Sequence, residues 1–90
     1  MTAKQMLRIC ADALERLDKL EGLLCYIPDA HNATQFVYMA IAEVHELVHI
    51  ARWETARNVT PQQVAHIQSI FPRIDYFLAT VPDNVRRCDT

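Results

Sequence analysis

The spacing of apolar residues in the first third of the chain restricts the fold more than any other feature. From Met6 to Ile27 these residues recur at alternating intervals of four and three, over three heptads. That spacing places them all on one side of an α-helix, as in helices that pack lengthwise on one another. A first amphipathic helix is therefore predicted, and its apolar seam is Met6, Cys10, Ala13, Leu17, Leu20, Leu24 and Ile27.

Two further segments show the same helical period. The second helix is predicted from about Ala33 to Arg57, and the third carries apolar residues from Val64 to Val81. Pro72 falls inside the third helix, which is therefore predicted to be kinked or broken there.

The helix ends have their own signals. A Thr or Asn followed three residues later by Gln is typical of a capping box, and it occurs at Thr2-Ala3-Lys4-Gln5, Asn32-Ala33-Thr34-Gln35 and Thr60-Pro61-Gln62-Gln63. Pro28 is predicted to end the first helix, because the residue before a proline disfavours helical angles.

The chain has one glycine in 90 residues, too few for the turns of a small β protein. Short connections between long helices favour antiparallel neighbours. The predicted fold is all-α, an up-down-up antiparallel three-helix bundle. One domain is expected over residues 1–82, followed by a flexible polar tail over 83–90.

Composition excludes several classes of protein. The net charge is −2 and the nine Lys and Arg residues are scattered, so nucleic acid and membrane surfaces are not expected partners. Neither a signal peptide nor a membrane span is recognisable. Three cysteines without C-x-x-C spacing favour free thiols in the cytoplasm, and the compactness is typical of a small bacterial or phage protein.

The second helix carries more apolar surface than a three-helix bundle needs. Its apolar arc spans roughly 200°, whereas a stripe of about 100–140° would suffice. Either a small fold leaves this surface exposed, or it is an interface. Because the excess is contiguous, we expect dimerisation through helices 1 and 2 or binding of another protein. The residues predicted to form this interface are Leu14, Leu23, Phe36, Met39, Ile50 and Trp53.

Residues 45–49 read HELVH, the H-E-x-x-H motif of zinc metalloproteases. His45 and His49 lie one helical turn apart, and Glu46 would activate a metal-bound water. The resemblance is confined to these five residues. The extended motif requires Gly where this chain has Arg52 and His where it has Thr55.

A non-proteolytic metal site is a separate alternative. His66 on the third helix could join His45 and His49 as a third nitrogen ligand. Ordinary surface histidines on a helix are the preferred interpretation, so neither a cofactor nor a catalytic residue is expected.

The sequence thus predicts a non-enzymatic protein that binds or sequesters another protein, such as an adaptor, anti-activator or inhibitor. The metal-binding helical protein is the alternative. A DNA-binding regulator is disfavoured by the charge and by helices longer than a helix-turn-helix usually carries.

Overall fold

A computed structural model describes residues 2–53 and 59–83, with Trp53 described by its backbone alone. Three α-helices make up this part of the chain: α1 (Ala3–Gly22), α2 (Ala30–Trp53) and α3 (Pro61–Ala79). A short 3-10 turn, Leu24–Tyr26, connects α1 to α2. The described residues contain no strand, so the all-α prediction is confirmed, and the arrangement is compatible with a three-helix bundle.

Two of the three predicted capping boxes are confirmed. In α1 the Thr2 hydroxyl accepts from the Gln5 amide at 3.1 Å, and the Gln5 side chain accepts from the Thr2 amide at 2.9 Å. Thr60 and Gln63 make the same reciprocal pair at the start of α3, at 3.2 and 2.9 Å. Each box satisfies backbone donors that have no partner inside the helix.

The capping box predicted at Asn32 is wrong, because α2 begins earlier, at Ala30. The Ala33 amide donates to the Asp29 carbonyl at 3.0 Å, which places Asn32 inside the first turn. The Asn32 side chain donates to the Asp29 carboxylate at 2.8 Å, and Gln35 contacts His31 instead of Asn32. The predicted end of this helix at Arg57 lies outside the described residues.

The predicted end of the first helix is also wrong. α1 stops at Gly22 and not at Ile27, and the Leu23 amide bonds the Leu20 carbonyl in a tighter, 3-10-type turn. Glycine is a poor helix former, which explains an end at this position. The turn keeps Ile27 only 4% exposed, so the apolar seam continues although the helix does not.

Helix α3 runs without interruption through Pro72, so it is not broken there. A bend of its axis at Pro72 stays a prediction. Val81 follows the helix and is buried, and the predicted polar tail begins at Asp83 and otherwise lies outside the described residues.

The core lies where the three helices meet, with α1 packed against both of the others and α2 contacting α3 least. Contacts between Phe36 and Phe77, and between Glu43 and His66, show that α2 and α3 run antiparallel. Each helix contributes a seam with the four–three spacing. These seams are Met6, Cys10, Ala13, Leu17 and Leu20 in α1; Ala33, Val37, Ala40, Val44, Leu47 and Ala51 in α2; and Ile67, Ile70, Ile74 and Phe77 in α3.

Candidate protein-binding groove

A groove of ≈ 380 Å³ runs between α2 and α3 on the side away from α1. It exists because both helices turn their core seams toward α1, which leaves their adjacent flanks apart. Its floor is apolar and consists of the buried residues Phe36, Ala40, Ile70 and Phe77. We call this feature the α2–α3 groove.

Two large side chains stand on the rim of the α2–α3 groove. Met39 of α2 is 63% exposed and Tyr76 of α3 is 67% exposed. The Tyr76 ring meets Phe77 edge-on, with centroids 5.3 Å apart. Met and Tyr are enriched at protein interfaces, because Met adapts its shape and Tyr combines apolar area with a polar tip.

An arginine covers the aromatic part of the floor. Phe36 and Phe77 pack with ring centroids 5.5 Å apart, and the Arg73 guanidinium carbon lies 4.5 Å from the Phe36 centroid. This geometry is a cation–π contact. Arg73 is itself exposed, so its positive charge lies at the surface of this end of the groove.

A polar contact crosses the groove further along. His66 Nε2 lies 2.8 Å from Glu43 Oε2, which joins α3 to α2. Beyond it the groove continues as a shallower depression that includes Glu46 and Ile50. The carboxylates of Glu43 and Glu46 lie at this end, and a third groove carboxylate, that of Asp29, lies at the Arg73 end.

On the other flank of α3, which α1 contacts, a different group of side chains covers Phe71. Arg16 of α1 stacks over Phe71 at 5.0 Å, bonds Asp12 at 3.3 Å and lies 3.9 Å from Asp75. Phe71 is thereby half-buried. Both flanks of α3 thus carry an arginine over a phenylalanine, and the flank toward α2 is the one on which Met39 and Tyr76 border a groove.

The six residues predicted to form the interface differ in burial and do not share one exposed surface. Leu23 and Phe36 are 4% and 5% exposed, so the chain covers them without a partner. Leu14 is half-buried against the core, and Ile50 is half-buried in the continuation of the groove. Met39 is the exposed member, and the Trp53 side chain lies outside the described part.

Sequence reasoning did not predict Glu43, Arg73 and Tyr76 as groove residues. The available signal was a second series in α3 with the four–three spacing, which precedes the core seam by one residue. Its members are Gln62, His66, Ser69, Arg73 and Tyr76. A helix that contacts a further neighbour needs such a second seam about 100° from the first.

The three histidines of the alternative metal site are not brought together. Within residues 2–53 and 59–83, no group of three or more His, Cys, Asp and Glu side chains is arranged to hold a metal ion. His66 faces Glu43, whereas His45 is displaced by about 200° around α2 from that residue. His45 and His49 are exposed.

The two cysteines in the described region differ in environment. Cys10 is fully buried in the α1 seam, and burial raises the pKa of its thiol because the thiolate would lose its hydration. Cys25, in the 3-10 turn, is exposed. Cys10 is therefore a small core residue and not an activated nucleophile.

Comparisons with protein-family models, with curated proteins and with solved structures found no match. Among the helices that the structure describes, none is both long and apolar enough to cross a membrane.

Proposed function

We propose that this chain is a non-enzymatic protein–protein interaction module that binds a helical face of a protein in the α2–α3 groove. The observation that carries the proposal is the pair Met39 and Tyr76. Both are more than 60% exposed, and they stand on either side of an apolar floor. Such a groove between two helices suits an amphipathic helix, whose apolar side chains enter while its polar side stays in water.

The positions of the large exposed apolar residues favour a binding surface on α2 and α3. The sequence had predicted such a surface on helices 1 and 2 instead. In the described part of the chain these residues are Tyr26, Tyr38, Met39 and Tyr76, and none of them belongs to α1. A bound helix would contact α2 and α3 together and complete a four-helix arrangement. An adaptor or an inhibitor would act through such an occupied groove.

Site-specific photocrosslinking tests this function in the cells that produce the protein. A photoreactive amino acid at position 39 is expected to form a covalent adduct with a protein that mass spectrometry identifies. Tyr38 offers a matched control, because it is 61% exposed on the same helix but does not line the groove. Equal labelling from positions 38 and 39, or none from position 39, would refute the proposal. The identified protein must also bind in purified form.

A further inference from the structure

We propose that the helix bound in the α2–α3 groove is basic along the edge that faces α2 and carries an acidic residue on the edge that faces α3. This inference rests on the proposed function and specifies the chemistry of the partner. Charged groups at an interface select partners of complementary charge. The charged side chains around the apolar floor therefore indicate which helix fits between α2 and α3.

The α2 side of the groove is acidic. Three carboxylates line the groove and its continuation, that of Asp29 in the turn before α2 and those of Glu43 and Glu46 on α2. Glu43 contacts His66 at 2.8 Å, whereas Asp29 accepts a hydrogen bond from the neutral amide of Asn32. Among the described residues, neither Asp29 nor Glu46 forms an ion pair. Both are exposed, so both can receive a cation from a bound helix.

The α3 side of the groove carries bases instead. Its charged or titratable lining residues are Arg73 and His66, and the His66 imidazole already contacts Glu43. The Arg73 guanidinium lies over the Phe36 ring and is exposed. A guanidinium has five N–H donors, so Arg73 can keep this contact and still donate to a carboxylate of a bound helix. The two sides of the groove therefore select opposite charges.

The positions along α2 set the spacing expected in the bound helix. From Asp29 to Glu46 the groove extends over about 25 Å at 1.5 Å per residue, which a helix of about 18 residues spans. Arg73 lies at the level of Phe36, about 10 Å or two helical turns from Asp29. The bound helix is therefore expected to carry Lys or Arg near both ends of one edge. Its acidic residue is expected on the other edge, about two turns from one of these ends.

Apolar residues line the groove between these charges. They extend from Phe36 to the half-buried Ile50, about 21 Å along α2, and are interrupted by the polar contact that joins α3 to α2. Met39 and Tyr76 project from the two helices that border this lining and can pack against a bound helix. Apolar residues with the four–three spacing on the bound helix match this length, so its apolar face enters the groove while its charged edges stay near the surface.

Two synthetic peptides test this arrangement of charges. Both have about 18 residues, leucines at the four–three spacing, and equal numbers of lysine and glutamate. In the segregated peptide lysines line one edge of the leucine face and glutamates line the other, whereas in the alternating peptide each edge carries both. Fluorescence anisotropy of each labelled peptide, titrated with the full chain, is expected to give a dissociation constant about fivefold lower for the segregated peptide. Net charge cannot cause this difference, because both peptides have the same composition.

Isosteric variants of the chain test whether the groove carboxylates contribute to this binding. Asp29→Asn combined with Glu46→Gln is expected to raise the dissociation constant of the segregated peptide about fivefold and to lessen its dependence on salt. The asparagine can still accept the hydrogen bond from Asn32. Asp18→Asn combined with Glu15→Gln makes the same changes at exposed positions of α1 and is expected to leave the dissociation constant unchanged. Circular dichroism establishes that each variant is folded.

Equal dissociation constants for the two peptides would overturn the inference, as would the absence of binding by either. Binding that is unchanged in the groove variant would also overturn it. Self-association of the wild-type chain that Met39→Glu abolishes would assign the groove to a second copy instead. These outcomes are distinct from failure of the proposed function. If position 39 crosslinks to a protein helix that lacks the two charged edges, the groove remains a binding site and only its occupant changes.

Discussion

His66 of α3 and Glu43 of α2 lie 2.8 Å apart, and their contact crosses the groove between residues separated by 23 positions in sequence. Both side chains are substantially exposed, 53% for His66 and 39% for Glu43. Exposed pairs of this kind contribute little to stability, because water competes for both partners. The contact therefore shows how α3 is aligned along α2 but contributes little to the stability of the fold.

Replacing His66 tests whether its contact with Glu43 contributes little to stability. His66→Ala is expected to lower the free energy of unfolding by less than about 1 kcal/mol, the usual limit for an exposed pair. Chemical denaturation measures the change, and His45→Ala, on the far side of α2, is the matched control with an expected change within about 0.5 kcal/mol. A loss of several kcal/mol from either variant would indicate a buried network or a bound metal instead.

Metal content provides a second test of the histidines. The described residues form no three-ligand group, so purified untagged protein is expected to contain no stoichiometric zinc. Chelator treatment is then expected to leave the melting temperature unchanged. Native mass spectrometry measures the metal, with His49→Ala as the comparison. One equivalent of zinc that disappears in His49→Ala would restore the metal-binding alternative.

Phe36 and Met39, three residues apart on α2, are expected to respond in opposite ways to truncation. Phe36 is 5% exposed and packs on Phe77, so Phe36→Ala is expected to destabilise the fold by about 3–5 kcal/mol. Met39→Ala removes an exposed side chain and is expected to change stability by less than about 0.5 kcal/mol while weakening binding of the segregated peptide. Thermal melts and peptide titrations of both variants measure the contrast. Equal loss of stability in both would contradict the assigned burial.

The same two residues show what the sequence could predict. The core seam of α1 followed from its heptads alone, since most of its members are buried against both neighbours. On α2, Phe36 and Met39 occupied the same flank of the helical wheel, and both were predicted to form an interface. Only the packing of α3 distinguishes them, because Phe77 and Arg73 cover Phe36. The angle and register between two helices are not contained in the period of either one.

The two cysteine environments predict selective labelling. In a Cys88→Ser background, a thiol reagent near pH 8 is expected to modify Cys25 rapidly and Cys10 only when the fold opens. Mass spectrometry of peptides over time measures both rates, with denaturant as the positive control. Comparable rates for both thiols in the native protein would contradict the burial of Cys10.

The raised pKa of the Cys10 thiol also predicts how stability depends on pH. Folding favours the neutral thiol, so this contribution is fully present below the unfolded-state pKa of about 8.5 and declines as pH rises through the folded-state pKa. Cys10→Ala is expected to lessen the loss of stability on going to alkaline pH. Denaturation of both proteins at neutral and alkaline pH measures the difference, and parallel curves would refute the assignment.

Pro72 is expected to weaken α3 although the helix continues through it. Proline has no amide hydrogen to donate to the carbonyl of Gln68, and its ring crowds the preceding turn. Pro72 is exposed, so alanine can replace it without disturbing the core. Pro72→Ala is expected to raise the free energy of unfolding by about 1–3 kcal/mol, measured by urea denaturation.

Gln68→Ala, one turn earlier and also exposed, is the control, and its free energy of unfolding is expected to change little. A decrease in Pro72→Ala would mean that the proline imposes a bend on which the packing of α3 against α1 and α2 depends.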